Sequence, residues 1–308
     1  MERKVSYNDV KKTVENAFEQ FKSLHDGIVD SRLTQAKGGG FGISIALIDG
    51  RTINVGDTQT LFPIGSLAKI PMSVVLLSQN TPQELTKKSG RGCCKCKDRS
   101  SRPEIPFSPH GVRAVSAIVP QGDADGKYEI IVNKLIDMAG SEPVLDDQLF
   151  KAFCQEADNS NSVKAFTESG YELYDDPAIS IEVFNKLRAL QLCSEQLAAV
   201  GATIAADGCC PVTGEYAFDG SIASTVVAML SARGMKHKMK SWIIETGLPA
   251  KGGFGGGIVA VLPGFGAIAT YSPELNECGL SLKGAKAIEY IARELELNVF
   301  ASARVVVE

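Results

Sequence analysis

With 308 residues, 44% of them hydrophobic and 22% charged, the chain has the size and balance of a globular protein that buries its core without disulfide or metal staples. A formal net charge of −4 gives it no general attraction to nucleic acid or to anionic membrane. The charged start Met1-Glu2-Arg3-Lys4, and the lack of any apolar run of bilayer length, predict a cytoplasmic protein with neither nucleic-acid nor membrane partners.

Val14, Ala17, Phe18, Phe21 and Leu24 recur at helical spacing and predict an amphipathic helix over 11–24. The runs 42–48 and 52–55 flank Asp49-Gly50, a hairpin signal. Phe62-Pro63-Ile64-Gly65 then breaks the chain, and Ser66-Leu67-Ala68-Lys69 opens an apolar helix running to Leu77. Further helices are expected over 180–192, 194–206 and 221–232. Strands over 257–262 and 267–271, joined by Pro263-Gly264-Phe265-Gly266, precede a last helix over 283–295. Strands near both ends with helices between them predict an α+β fold, an antiparallel sheet flanked by helices. The expected organisation is one domain, 1–308, with a sheet lobe from 1–65 and 236–308 and an inserted, mostly helical lobe from 66–235.

The chemistry concentrates in the tetrad. Residues three apart share a helix face, so the Ser66 hydroxyl and the Lys69 amine would point into one space. A hydroxyl attacks only when a base takes its proton, and a lysine serves as that base when its surroundings favour the neutral amine. The bland alternative is an N-cap serine beside a solvated lysine. His25, His110 and His237 lie in a charged helix, a Pro-rich loop and a Lys/Met-rich segment, so a histidine-based triad is not expected. Cys93, Cys94 and Cys96 sit in a basic, Gly-rich stretch without a CxxC pair or an evident fourth ligand, so a basic loop is expected and no metal or other cofactor. Gly247–Ile258 is too glycine-rich for a plain strand and lacks the GK[ST] of a phosphate loop. It reads equally as a bulged strand entry or as a backbone that a ligand approaches.

Taken together, the Gly42–Asp57 hairpin, the Ser66/Lys69 tetrad, Ser169-Gly170-Tyr171, the helix 197–206 with Pro211-Val212-Thr213-Gly214, the Gly247–Ile258 loop and Pro263–Pro273 resemble the serine-dependent bacterial-type glutaminases. That family shares the fold of the class A β-lactamases and penicillin-binding proteins, and the resemblance covers nearly the whole chain. It implies a β-lactamase-like fold, Ser66 as nucleophile, Lys69 as its base, and the backbone amides of Ser66 and Phe254 as an oxyanion hole. It also implies a small-molecule amide substrate and a homo-oligomer.

The chain departs from the family pattern where substrate is held. The family run Asn-Ala-Gly-Ala-Ile reads Ala114-Val115-Ser116-Ala117-Ile118, with Arg113 beside it. A glutamate that binds the substrate ammonium aligns with Ala152, although Asn159, seven residues on, is kept; Gln155, Glu156 or Asp158 could substitute if the helix register shifts. Two family tyrosines, one for the carboxylate and one for proton transfer, align near Phe184 and Lys236, and Lys-Ser-Gly becomes Lys251-Gly252-Gly253. Three readings stay open. The first is an amidohydrolase or acyl-transfer enzyme acting through acyl-Ser66 on an altered pocket. The second is a conventional glutaminase with a rebuilt pocket, and the third a non-catalytic binding protein.

Overall fold

The hairpin signal at Asp49-Gly50 is met by Gly50 in the left-handed region, at φ 88°, which lets the chain reverse between two paired strands. The structure, a computed structural model, describes residues 2–33, 40–81, 83–84, 109–159, 161–168, 173–235 and 239–308. Two compact units emerge: Met1–Leu67 with Leu135–Val144 and Gln191–Glu308, and Ala68–Lys134 with Leu145–Leu190.

In chain order, β1 (Glu2–Val5), α1 (Tyr7–Phe21), β2 (Ile28–Val29), β3 (Gly42–Leu47), β4 (Thr52–Gly56) and β5 (Phe62–Pro63) lead to a 3₁₀ turn, Gly65–Ala68. Then come α2 (Lys69–Gln79), α3 (Pro109–Ser116), α4 (Ala124–Ala139), β6 (Val144–Leu145), α5 (Asp147–Asn159), α6 (Ser162–Glu168) and α7 (Pro177–Arg188). The chain continues through β7 (Leu190–Leu192), α8 (Ser194–Ala205), α9 (Ala223–Arg233) and α10 (Met239–Thr246). It ends with β8 (Ala250–Gly252), β9 (Gly257–Leu262), β10 (Gly266–Tyr271), β11 (Glu274–Leu275), α11 (Leu282–Glu294) and β12 (Arg304–Val307).

The first unit is built on an antiparallel five-stranded sheet in the order β4-β3-β10-β9-β8. Buried on both faces, β3, β9 and β10 read as continuous apolar or small runs rather than alternating ones. On one side, α1 and α11 enclose a core that includes Val10, Val14, Ile45, Ile268, Ile288 and Ile291. Ser6 and Ser281 cap these two helices by accepting from Asp9 N and Gly284 N.

On the other side α8 lies on β3, β9 and β10. It comes close because Gly201 has no side chain: a Cβ there would stand 2.5 Å from Ala267 Cβ and 2.7 Å from Val259 Cγ2. Gly201→Val should overpack this contact and cost about 1–3 kcal/mol. A urea melt within about 0.5 kcal/mol of wild type would show that the helix simply moves away.

Several elements differ from their sequence-based expectations. The first helix starts at Tyr7 and ends at Phe21, which leaves His25 outside it with Nδ1 at 3.1 Å from Glu274 Oε1. The helix expected over 180–192 stops at Arg188, and Leu190–Leu192 is a strand whose Gln191 and Leu192 pair with Pro63 and Phe62. A short apolar run suits helix or strand alike, and a partner more than a hundred residues away decides it. The parallel pairing of β1 with β12 joins the two ends of the chain and has no local signal. Among the described residues, no helix is long and apolar enough to cross a membrane.

Candidate active site

The break before the tetrad is structural. Phe62 and Pro63 pair with β7, and Gly65, at φ 52°, turns the chain so that Ser66 sits in a 3₁₀ turn and the α-helix begins only at Lys69. The α-helical face expected for both residues is therefore replaced by a 3₁₀ turn running into an α-helix. Residues i and i+3 of a 3₁₀ turn lie nearly in line, and Lys69, the third residue after Ser66, is the first of the α-helix. The Ser66 hydroxyl donates to Gly252 O at 2.8 Å and is thereby anchored to β8.

The glycine-rich segment is a strand followed by a tight hairpin. Gly253 N donates to Gly257 O, and Gly256 N to Gly253 O. Its glycines allow backbone to approach backbone: a Cβ on Gly255 would lie 2.0 Å from Pro63 O, and one on Gly253 2.7 Å from Ile64 O. The hairpin turn is thus seated on the segment that leads to Ser66. The Phe254 ring covers Gly65, where a Cβ would meet ring carbons at 2.5 and 2.6 Å. Lys251, buried on β8, donates its ammonium to Gly234 O at 3.0 Å. A Cβ on Gly252 would stand 2.7 Å from Leu280 Cδ2, so a side chain there would require Leu280 to shift.

In the second unit, Lys69 Nζ stands 5.9 Å from the centroid of Phe184. Phe184 is fully buried, and its far edge rests on Gly111, where a Cβ would be 2.2 Å from Cζ. Arg113, near the end of α3, lies 5.8 Å from the Tyr174 ring. Positions 152, 156 and 159 of α5 follow at four- and three-residue spacing, so Glu156 falls on the same helix face as Ala152 and Asn159 without any change of register.

The run 115–118 after Arg113 is held from beneath by a lysine that sequence reasoning did not single out. Lys127 is wholly buried and donates to Val115 O at 3.0 Å, Ser116 O at 3.3 Å and Ile118 O at 2.5 Å. Asp175 pairs with it at 3.0 Å and also accepts from Gly122 N and Asp176 N. Burial pushes the Lys127 ammonium below its ordinary value. Burial opposes the Asp175 carboxylate as well, yet the donated hydrogen bonds and the ammonium together hold it below its ordinary value. Ser116 Oγ accepts from Tyr174 N and donates to Arg113 O, closing the network.

Some expected features fall elsewhere. Lys236, Cys93, Cys94, Cys96 and Ser169-Gly170-Tyr171 lie outside the described residues, as does the side chain of Asn159. Among the described residues no group of three or more His, Cys, Asp or Glu side chains is placed to hold a metal. A cavity of about 500 Å³ in the first unit, lined by Thr52, Asn54, Gln59, Ser141, Cys193 and Glu195 among others, includes none of the candidate catalytic or substrate-binding residues.

The Glutaminase family model matches residues 30–300. The glutaminase of Bacteroides thetaiotaomicron is 33% identical, and that of Parabacteroides distasonis 31%, each over 100% of this chain and 99% of the relative. The solved structure of the probable glutaminase YbaS superposes with a TM-score of 0.86 at 26% identity, covering 97% of this chain and 100% of that one. The Bacillus subtilis glutaminase YbgJ, solved as a covalent complex with 5-oxo-L-norleucine, has a TM-score of 0.79 at 22% identity over 95% and 99% of the two chains, a likeness of fold. By sequence over its full length and by the β-lactamase-like fold it shares with these structures, the chain belongs to the glutaminase family.

Proposed function

We propose that the protein is a serine-dependent amidohydrolase that cleaves the C–N bond of a small carboxamide through an acyl-Ser66 intermediate, in a pocket altered from the one glutamine ordinarily requires. The observation that carries this reading is the anchored nucleophile. Ser66 sits in a tight turn three residues before Lys69, its hydroxyl fixed to β8 beside the glycine hairpin that contains Phe254.

In this reading the Ser66 hydroxyl leaves Gly252 O and gives its proton to the neutral Lys69 amine as Oγ attacks the amide carbon. The oxyanion that forms is met by the backbone amides of Ser66 and Phe254. Collapse breaks the C–N bond, and the nitrogen leaves as ammonia or an amine with the proton returned by Lys69; Lys236 is a candidate to assist that transfer. Water then attacks acyl-Ser66, releases the carboxylic acid and restores the hydroxyl. Arg113, Asn159 and the Phe184 wall are assigned to the remainder of the substrate, with Lys251 and Gly253 shaping β8 and its turn. A second small nucleophile in place of water would make the same site an acyl-transfer enzyme.

Glutamine is the first substrate to test, because the relatives that match along the whole chain are named glutaminases. Its ammonium needs a carboxylate, and with Ala152 in place of the family glutamate, Glu156 is the carboxylate on that helix face. A hydrogen bond to a charged group contributes about 1.5–3 kcal/mol, or roughly ten- to a hundredfold in affinity. Glu156→Gln should therefore raise KM for glutamine at least tenfold with little change in kcat, and Ala152→Glu should lower it by a similar factor. Ammonia release measured by a coupled assay decides. An unchanged KM in Glu156→Gln rejects that assignment, and no ammonia at saturating glutamine rejects glutamine as the substrate.

A further inference from the structure

Arg32 has no part in the resemblance or in the chemistry above, yet it is built into the turn that holds Phe254. Its guanidinium carbon lies 4.5 Å from the centroid of the Phe254 ring. Asp30 grips the same guanidinium at two points, Nε to Oδ1 at 2.8 Å and Nη2 to Oδ2 at 2.6 Å, and Oδ1 also accepts from Arg32 N at 3.0 Å. Both side chains are mostly covered, at 33% and 17% exposure, so the grip is shielded from the solvent that weakens surface pairs. The Phe254 ring also covers Gly65, whose missing Cβ would fall within 2.6 Å of two ring carbons. Gly65 immediately precedes Ser66.

We propose that Arg32 is a positioning residue for the oxyanion hole: fixed by Asp30, it clamps the Phe254 ring against Gly65 and so sets the Phe254 amide relative to Ser66. The inference rests on the assignment of that amide as an oxyanion donor. A planar guanidinium suits the task because it stacks on a ring and meets a carboxylate at two points at once, which a lysine ammonium does not do. The need for a clamp follows from the hairpin itself. Residues 253–256 include three glycines, whose backbones have wide conformational freedom, and an oxyanion donor works only when it is fixed before charge develops.

A donor that strengthens the transition state and not the ground state acts on kcat. Arg32→Ala should lower kcat for ammonia release roughly tenfold or more while KM stays within about twofold, since a misplacement near 1 Å can cost as much as a hundredfold. Arg32→Lys, which retains charge over the ring but not the two-point grip, should fall between, and so should Asp30→Asn, which loosens the grip and leaves the stack. The rate at which 6-diazo-5-oxo-L-norleucine adds to Ser66, followed by intact mass, should fall in the same order. Thermal melts establish that each variant is folded, and Asp30→Asn carries the test if Arg32→Ala does not fold. Variants matching wild type in kcat overturn the clamp and leave the proposed chemistry standing. A rise in KM at constant kcat also overturns it, because Arg32 would then be a substrate contact. Wild type that releases no ammonia and takes up no probe overturns both.

Discussion

Ser66→Ala is expected to lower kcat for amide hydrolysis by about four to six orders of magnitude, with KM and melting temperature little changed, because loss of a serine nucleophile removes the step on which the other catalytic groups act. The fold should tolerate the change: the hydroxyl makes one hydrogen bond, to Gly252 O, at a half-buried position, and a lost bond of this kind costs about 1 kcal/mol. Intact mass after incubation with the diazo ketone provides a second reading, an adduct on wild type and none on the variant. Ammonia release at the wild-type rate from Ser66→Ala would sink the acyl-enzyme mechanism outright. An adduct on both proteins would place the reactive group elsewhere.

Lys69→Met should have a comparable effect on kcat and leave substrate affinity in place, which separates base from anchor. The pair behaves as a unit, so the double variant should be scarcely worse than either single one. Additive losses would mean that Lys69 does not take the Ser66 proton.

What could be read before the structure was whatever the chain settles locally. Asp49-Gly50 specifies a hairpin because the turn itself needs the left-handed backbone that glycine supplies, and 194–206 specifies a helix because its period is contained within the segment. The break and the helix around Ser66 were legible for the same reason, the two being adjacent in sequence. Leu190–Leu192 was misread because its state depends on Phe62 and Pro63, and the pairing of Glu2–Val5 with Arg304–Val307 was missed because nothing within either segment points to the other. Arg32 and Lys127 were invisible for a different reason. Each acts through a contact with Phe254 or with the carbonyls of 115, 116 and 118 that no spacing rule encodes, and in sequence each is one more cation among 32. Glu156 was weighed only as one replacement among three; the helix over Asp147–Asn159 puts Gln155 and Glu156 on the face of Ala152 and Asn159 and Asp158 off it, and of the two on that face only Glu156 carries a carboxylate.

The largest effect on stability should come from Lys127. Lys127→Met removes the ammonium from three carbonyls and leaves the Asp175 carboxylate, 7% exposed, without its counter-charge. Breaking one side of a buried ion pair costs about 3–5 kcal/mol, enough to bring a protein of ordinary stability close to unfolding. A double variant, Lys127→Met with Asp175→Asn, should recover part of that loss, since what dominates is the stranded charge rather than the attraction given up. The pH dependence separates the two groups. Asp175 is held below its ordinary value in the folded protein, so between that lowered value and the ordinary carboxylate range the unfolded chain binds the extra proton. Its contribution is fully present above the ordinary value and is lost as the pH falls through the folded one. For Lys127, lowered by burial, the unfolded chain again holds the extra proton, now in the window beneath 10.5, so stability rises with pH there too. Without Lys127, burial of the carboxylate is opposed only by the amides of Gly122 and Asp176, so the acid-side loss should shrink or change sign. Urea melts of wild type and Lys127→Met from pH 7 down to pH 3 read both effects at once. A variant within about 1 kcal/mol of wild type at pH 7, with the same acid limb, would mean that water or a rearranged loop takes over the role of the ammonium, and that the run 115–118 is held by its own helix rather than by this pair.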